Sequence, residues 1–176
     1  MSVLRVDELT TFAGTGLITV PQSSRLWSGG SIAQVVTKTF NDSTTNASAQ
    51  TYVACANGSL SIEPKFSGSS FFIRLAAQGY QSAGGGMNVA IRRDYISNSL
   101  IIGVEGSGGD SWMGSNNGTS TNSANFKRSF FDSPGASPGT IITYTVMLGT
   151  WSTNTAFFNY PGYTGGSTIT IMEIAR

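Results

Sequence analysis

Histidine is missing altogether from the 176 residues, and cysteine occurs once. The first absence removes the commonest general base, the Ser-His-Asp and Cys-His arrangements, and imidazole metal ligands. The second excludes an intrachain disulfide and a zinc knuckle, and Cys55, set in Tyr52-Val53-Ala54-Cys55-Ala56, reads as a small buried hydrophobe. Charge is scarce too, with Asp, Glu, Lys and Arg making up 11% of the chain, against about 25% in an ordinary domain. A net charge of +1 sets up no field that would grip a polyanion, so neither a nucleic-acid partner nor membrane insertion is expected. No apolar run reaches the length of a membrane span, and Met1-Ser2-Val3-Leu4-Arg5-Val6-Asp7-Glu8 lacks the pattern of a secretory leader, so synthesis in the cytoplasm and a soluble product are expected.

Helix signals are equally sparse. The 22 glycines, with clusters of Ser, Thr and Asn, interrupt the chain so often that few windows hold three helical turns. What remains is a succession of short β-branched and aromatic runs between turn clusters. Period-two alternation is clearest over 70–78, where Phe71, Ile73, Leu75 and Ala77 share one face and Phe72, Arg74, Ala76 and Gln78 the other. Over 87–94, Met87, Val89 and Ile91 oppose Asn88, Ala90, Arg92 and Asp94, and Ile142, Tyr144, Val146 and Leu148 form a third such face. Further strands are expected near 32–40, 51–55, 99–104, 125–131, 154–160 and 167–175. The expected fold is all-β, an antiparallel two-sheet jelly-roll sandwich over 32–176, with residues 1–31 as an N-terminal arm.

Several strands are apolar on both faces: Phe72 lies among core-facing neighbours, Ile101 between Leu100 and Ile102, and Phe157, Phe158 and Tyr160 crowd one strand. A free sandwich needs one apolar face per sheet, so a symmetric oligomer is expected to cover the rest, with Phe72, Phe158 and Tyr160 as candidate interface residues. The arm carries Val3, Leu4, Val6, Leu9 and Phe12, too few for a core of its own. It reads either as an attachment segment ordering against partner chains or as an edge strand of its own sandwich.

The longest loop, about 105–124, sets Trp112 and Met113 among small polar residues that include Asn116 and Asn117. It is the candidate contact loop, with Tyr163 added from a later connection, and Trp112 folding back as a lid on the sandwich is the alternative. Tyr80, Tyr160 and Tyr163 offer further stacking faces.

Chemistry finds little purchase. The Gly-rich segments lack the Gly-x-x-x-x-Gly-Lys-Ser/Thr spacing and precede no helix, so they are turns. Glu63, Asp94, Glu105, Asp110, Asp132 and Glu173 are scattered, and no pair stands out as glycosidase carboxylates. Asp110 with Asn116 and Asn117 supplies oxygen ligands but no regular calcium-loop spacing. No catalytic residue, metal or cofactor is therefore assigned, and the chain is not expected to be an enzyme. Arg93 shares a face with Met87, Val89 and Ile91, so a carboxylate is expected beside it.

Taken in order, Leu4-Arg5-Val6-Asp7-Glu8-Leu9, Gly14-Thr15-Gly16, Val20-Pro21, Pro64-Lys65-Phe66-Ser67, Asp132-Ser133-Pro134, Thr143-Tyr144-Thr145-Val146, Phe158-Asn159-Tyr160-Pro161-Gly162 and Ile169-Thr170-Ile171-Met172-Glu173-Ile174 span most of the chain. This succession resembles small virion structural proteins and tail-fibre ends of tailed phages, particularly cyanophages, whose C-terminal domain is a tumour-necrosis-factor or C1q-like jelly roll. The resemblance implies a homotrimer located on the virion, its N-terminal part attached to other phage structural proteins of the tail, baseplate or major capsid shell. Its jelly roll would face outward and bind a host-surface glycan or protein. Two roles follow from it, a short fibre for host attachment and a capsid decoration (cement) protein, with a glycan-degrading enzyme as a weaker third. Only about thirty residues precede the expected sandwich, where many fibre proteins have a long shaft.

Overall fold

The computed structural model describes residues 30–49, 51–81, 87–95, 97–102, 122–150, 155–159 and 166–175. The arm residues Val3, Leu4, Val6, Leu9 and Phe12, the loop residues Trp112, Met113, Asn116 and Asn117, and Tyr160 and Tyr163 lie outside them. Among the described residues there are ten strands and no helix: β1 (Ile32–Phe40), β2 (Thr44–Asn46), β3 (Thr51–Ile62), β4 (Ser70–Gln81), β5 (Met87–Tyr95), β6 (Ser97–Ile102), β7 (Asn122–Asp132), β8 (Ile142–Thr150), β9 (Ala156–Phe158) and β10 (Ser167–Ile174).

Every pairing is antiparallel, and the pairings are nested. β1 pairs with β10, β3 with β8, β4 with β7 and β5 with β6, so the chain behaves as one long hairpin wound on itself. β10 also pairs with β4, and β8 with β5, which gathers the strands into two sheets. In the first, β10 and β9 lie in tandem along one side of β4 while β7 takes the other, and β1 and β2 pair outside β10 and β9. The second has the order β3-β8-β5-β6. Nested pairing closed into two facing sheets is the jelly-roll topology.

The alternation read from the sequence sets what lies between the sheets. Phe71, Ile73, Leu75 and Ala77 of β4, Ile169 and Ile171 of β10, Met87, Val89 and Ile91 of β5, and Ile142, Tyr144, Val146 and Leu148 of β8 are all buried in one core. Each such side chain, fully buried, contributes roughly 1.5–3 kcal/mol. Three strands depart from the expectation, β2 by being unforeseen and two others in extent or burial. β3 runs to Ile62 rather than stopping near 55, because a register shift between Ala54 and Ser59 carries it past Asn57, whose φ is 53°, to pair again with β8. β5 is buried on both faces over Met87–Ile91, where the expected alternation would leave Asn88 and Ala90 outward.

One interface residue is corrected. Phe158 is 0% exposed within a single chain and stacks on Phe40 with ring centroids 5.6 Å apart, so it belongs to the core and has no surface left for a neighbour. Phe72 does lie on the outward face of β4, half-buried.

The carboxylate expected near Arg93 is Asp132. Arg93 Nη1 donates to Asp132 Oδ1 at 2.7 Å and the Tyr144 hydroxyl donates to Oδ2 at 2.8 Å, which pins the end of β7 to β5 and β8 of the opposite sheet. Burial, then the bond to Asp132 and its negative charge, push the Tyr144 hydroxyl well above its ordinary value, with Arg93 opposing; burial likewise raises the Cys55 thiol. Replacing Asp132 with Ala strands the buried Tyr144 hydroxyl and the half-buried Arg93 guanidinium and should cost about 3 kcal/mol. That is readable as a lower urea midpoint at fixed protein concentration, and an unchanged midpoint would refute the pin. Both raised groups stay neutral in the fold where the unfolded chain would ionise. These two groups therefore cost nothing below about pH 9, and stability falls as pH rises past about 9 for Cys55 and about 10 for Tyr144. Tyr144→Phe should flatten the loss above pH 10 in a urea series.

Candidate functional site

The nested pairing sorts the molecule into two ends. Ile32 pairs with Ile174, Ile174 with Ser70, Phe71 with Asp132, and Ile62 with Ile142, so these strand termini lie together at what we term the stem end. Gly30 and Ser31 are bonded there to the last described residue: Gly30 N donates to the Ala175 carbonyl at 2.8 Å and Ala175 N to the Ser31 carbonyl at 2.9 Å. The opposite, loop end collects Phe40 with Ser167, Thr51 with Thr150, Met87 with Thr150, and Gln81 with Asn122 and Ala156.

This register settles where the sequence candidates attach. Trp112, Met113, Asn116 and Asn117 fall between β6, which runs toward the loop end, and β7, which starts there. Tyr163 falls between β9 and β10, both of which border the same end. The described residues that follow these two connections, Asn122 and Ser167, thus lie at the same end. Val3, Leu4, Val6, Leu9 and Phe12 precede Gly30 and so join the sandwich at the stem end.

The floor beneath the loop cluster is held by buried amides. Asn159 adopts φ 49°, a left-handed conformation that Asn tolerates better than most residues. Its Nδ2 donates to the carbonyls of Phe40 at 3.0 Å and Asp42 at 3.3 Å, its Oδ1 accepts from Ser167 Oγ at 2.6 Å, and its N–H donates to the Gln78 carbonyl. One side chain so ties the β1–β2 corner and the start of β10 to the point where the 160–165 connection leaves. Asn46 does the same for the β2–β3 turn, donating to the carbonyls of Thr51 and Leu148, both at 2.9 Å, and accepting from Ser48 N at 3.0 Å.

Two aromatic contacts complete the floor. The Tyr52 ring lies over Gly149, where a Cβ would come within 2.7 Å of it, and the Tyr52 hydroxyl accepts from Asn88 Nδ2 at 3.0 Å. Tyr80, one of the proposed stacking faces, packs against Phe157 with centroids 5.8 Å apart and is half-buried beside β9. Asn46 and Asn159 escaped the sequence reading because a buried amide looks like any turn residue, and Asn159 fell within the strand expected near 154–160.

The described carboxylates named from the sequence each hold a structural contact. Glu173 is 0% exposed and accepts from Lys65 N, Phe66 N, Ser69 Oγ at 2.6 Å and Gln34 Nε2 at 2.7 Å, clamping the β3–β4 connection onto the stem end. Asp132 holds Arg93 and Tyr144, Asp94 pairs with Arg92 at 3.3 Å, and Glu63 Oε1 accepts from Gly139 N. Glu105 and Asp110 lie outside the described residues.

No protein-family model matches the chain, and no curated protein matches it either. Solved structures of infectious bursal disease virus are similar in part. A structure of the Gt strain matches at 14% identity and a TM-score of 0.40 over 92% of this chain and 42% of that one. A structure of the Gx strain matches at 12% and 0.32 over 90% and 40%, and the VP2 subviral particle at 15% and 0.33 over 92% and 42%. This chain therefore spans about two fifths of the length of the chains it matches. At these scores the likeness adds nothing to the strand pairing, which by itself makes the fold a jelly roll.

Asn159 offers a direct check on the floor. Asn159→Ala loses the bonds to Phe40, Asp42 and Ser167 and keeps the positive φ, which should cost about 3 kcal/mol. Asn159→Gly loses the same bonds but relaxes φ, so it should be milder by about 1 kcal/mol. Equal losses in thermal or urea unfolding would refute the conformational part.

Proposed function

We propose that this chain is a structural protein of a phage particle, a homotrimeric short fibre or knob with a tumour-necrosis-factor or C1q-like jelly roll, which attaches to the virion at its stem end and contacts the host surface with its loop end. It binds without chemistry, so it is not an enzyme. The observation that carries this reading is the separation of the two ends. The bonds between Gly30, Ser31 and Ala175 bring the chain in at one end, and Asn122 and Ser167, the strand starts that follow the 103–121 and 160–165 connections, lie at the other. A sandwich wired in this way tethers and displays at once, with no segment required to cross its own surface.

The fixed floor supports it further. Loops on a rigid scaffold keep their ends in place while their composition varies, and here Asn46, Asn159 and the Tyr52–Asn88 pair hold the loop bases. Trp112, Tyr80, Tyr160 and Tyr163 supply flat apolar faces suited to a sugar ring or peptide side chain. Contacts of this kind are weak singly, and three per trimer on several trimers raise the effective concentration enough for firm adsorption.

The purified full-length protein should adsorb to host cells and compete with phage for them, and Trp112→Ala with Tyr163→Ala should reduce the competition at least tenfold without changing the unfolding midpoint. Failure to adsorb, together with hundreds of copies per particle instead of tens, would replace the fibre with a decoration protein of the head.

A further inference from the structure

The outward face of the first sheet carries an apolar row that crosses all its width at the stem end. Val35 is paired with Met172, Met172 with Phe72, and Phe72 with Phe131, so four side chains from β1, β10, β4 and β7 stand side by side. Val35 is 52% and Phe131 56% exposed, and a register shift between Ile32 and Gln34 leaves Ile32, 54% exposed, beside the same row. Outward residues of an ordinary free sandwich alternate to polar at such positions. The neighbouring rows of this face hold Arg74 and Lys127 and, among the described residues, no carboxylate.

A second exposed apolar group lies at the same end on a different surface. Ile141, at the end of the β7–β8 connection, is 65% exposed. Beside that connection is Glu63, whose Oε1 accepts from Gly139 N at 3.2 Å; it is the exposed carboxylate among the described residues of the stem end.

We propose that the apolar row is the socket for the Ile141 connection of a second copy of this chain, and that the contact repeats around a threefold axis. The inference rests on the trimer of the preceding section and names its joint. Two copies meeting row to row would set Arg74 and Lys127 of one against the same cations of the other, which disfavours an isologous dimer. Socket to Ile141 is heterologous: it matches apolar to apolar, and Glu63 of one copy to Arg74 or Lys127 of the next. A heterologous contact that closes gives a ring.

Sedimentation velocity on the full-length protein tests the joint. Wild type should run as a trimer at micromolar concentration. Phe131→Asp or Val35→Lys breaks the socket, and Ile141→Asp breaks the plug; each should raise the concentration for half-assembly at least about thirtyfold. Mixing Phe131→Asp with Ile141→Asp leaves one intact joint, from the plug of the first to the socket of the second, and should yield a one-to-one dimer. All three side chains tested are more than half exposed, and near-ultraviolet circular dichroism checks that each variant is folded. A wild-type monomer would sink the trimer itself. A wild-type trimer that survives either class of substitution, or a mixture that yields no dimer, would overturn the joint alone.

Discussion

The structure depends on one constraint, the nesting of four antiparallel pairings. Once β1 lies on β10, β3 on β8, β4 on β7 and β5 on β6, every connection is forced to one end or the other. The same winding brings Gly30 beside Ala175 and sends the strand ends at Gln81, Asn122, Thr150 and Ala156 to the opposite pole. The separation of the two ends is a consequence of the pairing order, and no particular loop sequence is needed to produce it.

Polar side chains are then spent on fixing the ends, where apolar packing runs out. Glu173 and Asp132 at the stem end, and Asn46 and Asn159 at the loop end, each satisfy several donors or acceptors in places closed to water. A buried group of this kind is costly unless all its bonds are made, so each one selects a single arrangement of the segments it touches. With charge so scarce in the sequence, the placement of Asp132 and Glu173 in such clamps leaves the outward surfaces still more to Ser, Thr and exposed apolar groups.

Much of this was legible beforehand. Alternation identified the inward faces of β4 and β8 residue for residue, because the residues that point into the core are the apolar set of each period-two pattern. Arg93 announced its partner for the same reason, since a cation on an inward face must be neutralised. The short strand β2 escaped notice because Thr44–Asn46 has no apolar alternation, and its stability comes from Asn46 and the pairing with β9. Phe158 was assigned to an interface because three aromatics crowd one segment, yet alternation sends Phe158 inward onto Phe40 and Phe157 outward onto Tyr80. The outward row from Val35 to Phe131 was hidden for a different reason: its members come from four distant segments and meet only when the register is known.

The two-ended arrangement is what the functional account stands on, and cryo-electron microscopy of intact virions at a resolution that places this chain examines it most directly. The account predicts density in which Gly30 and Ala175 face the particle and the 103–121 connection faces solvent. The reverse orientation, with the loop cluster buried against the particle, would contradict it.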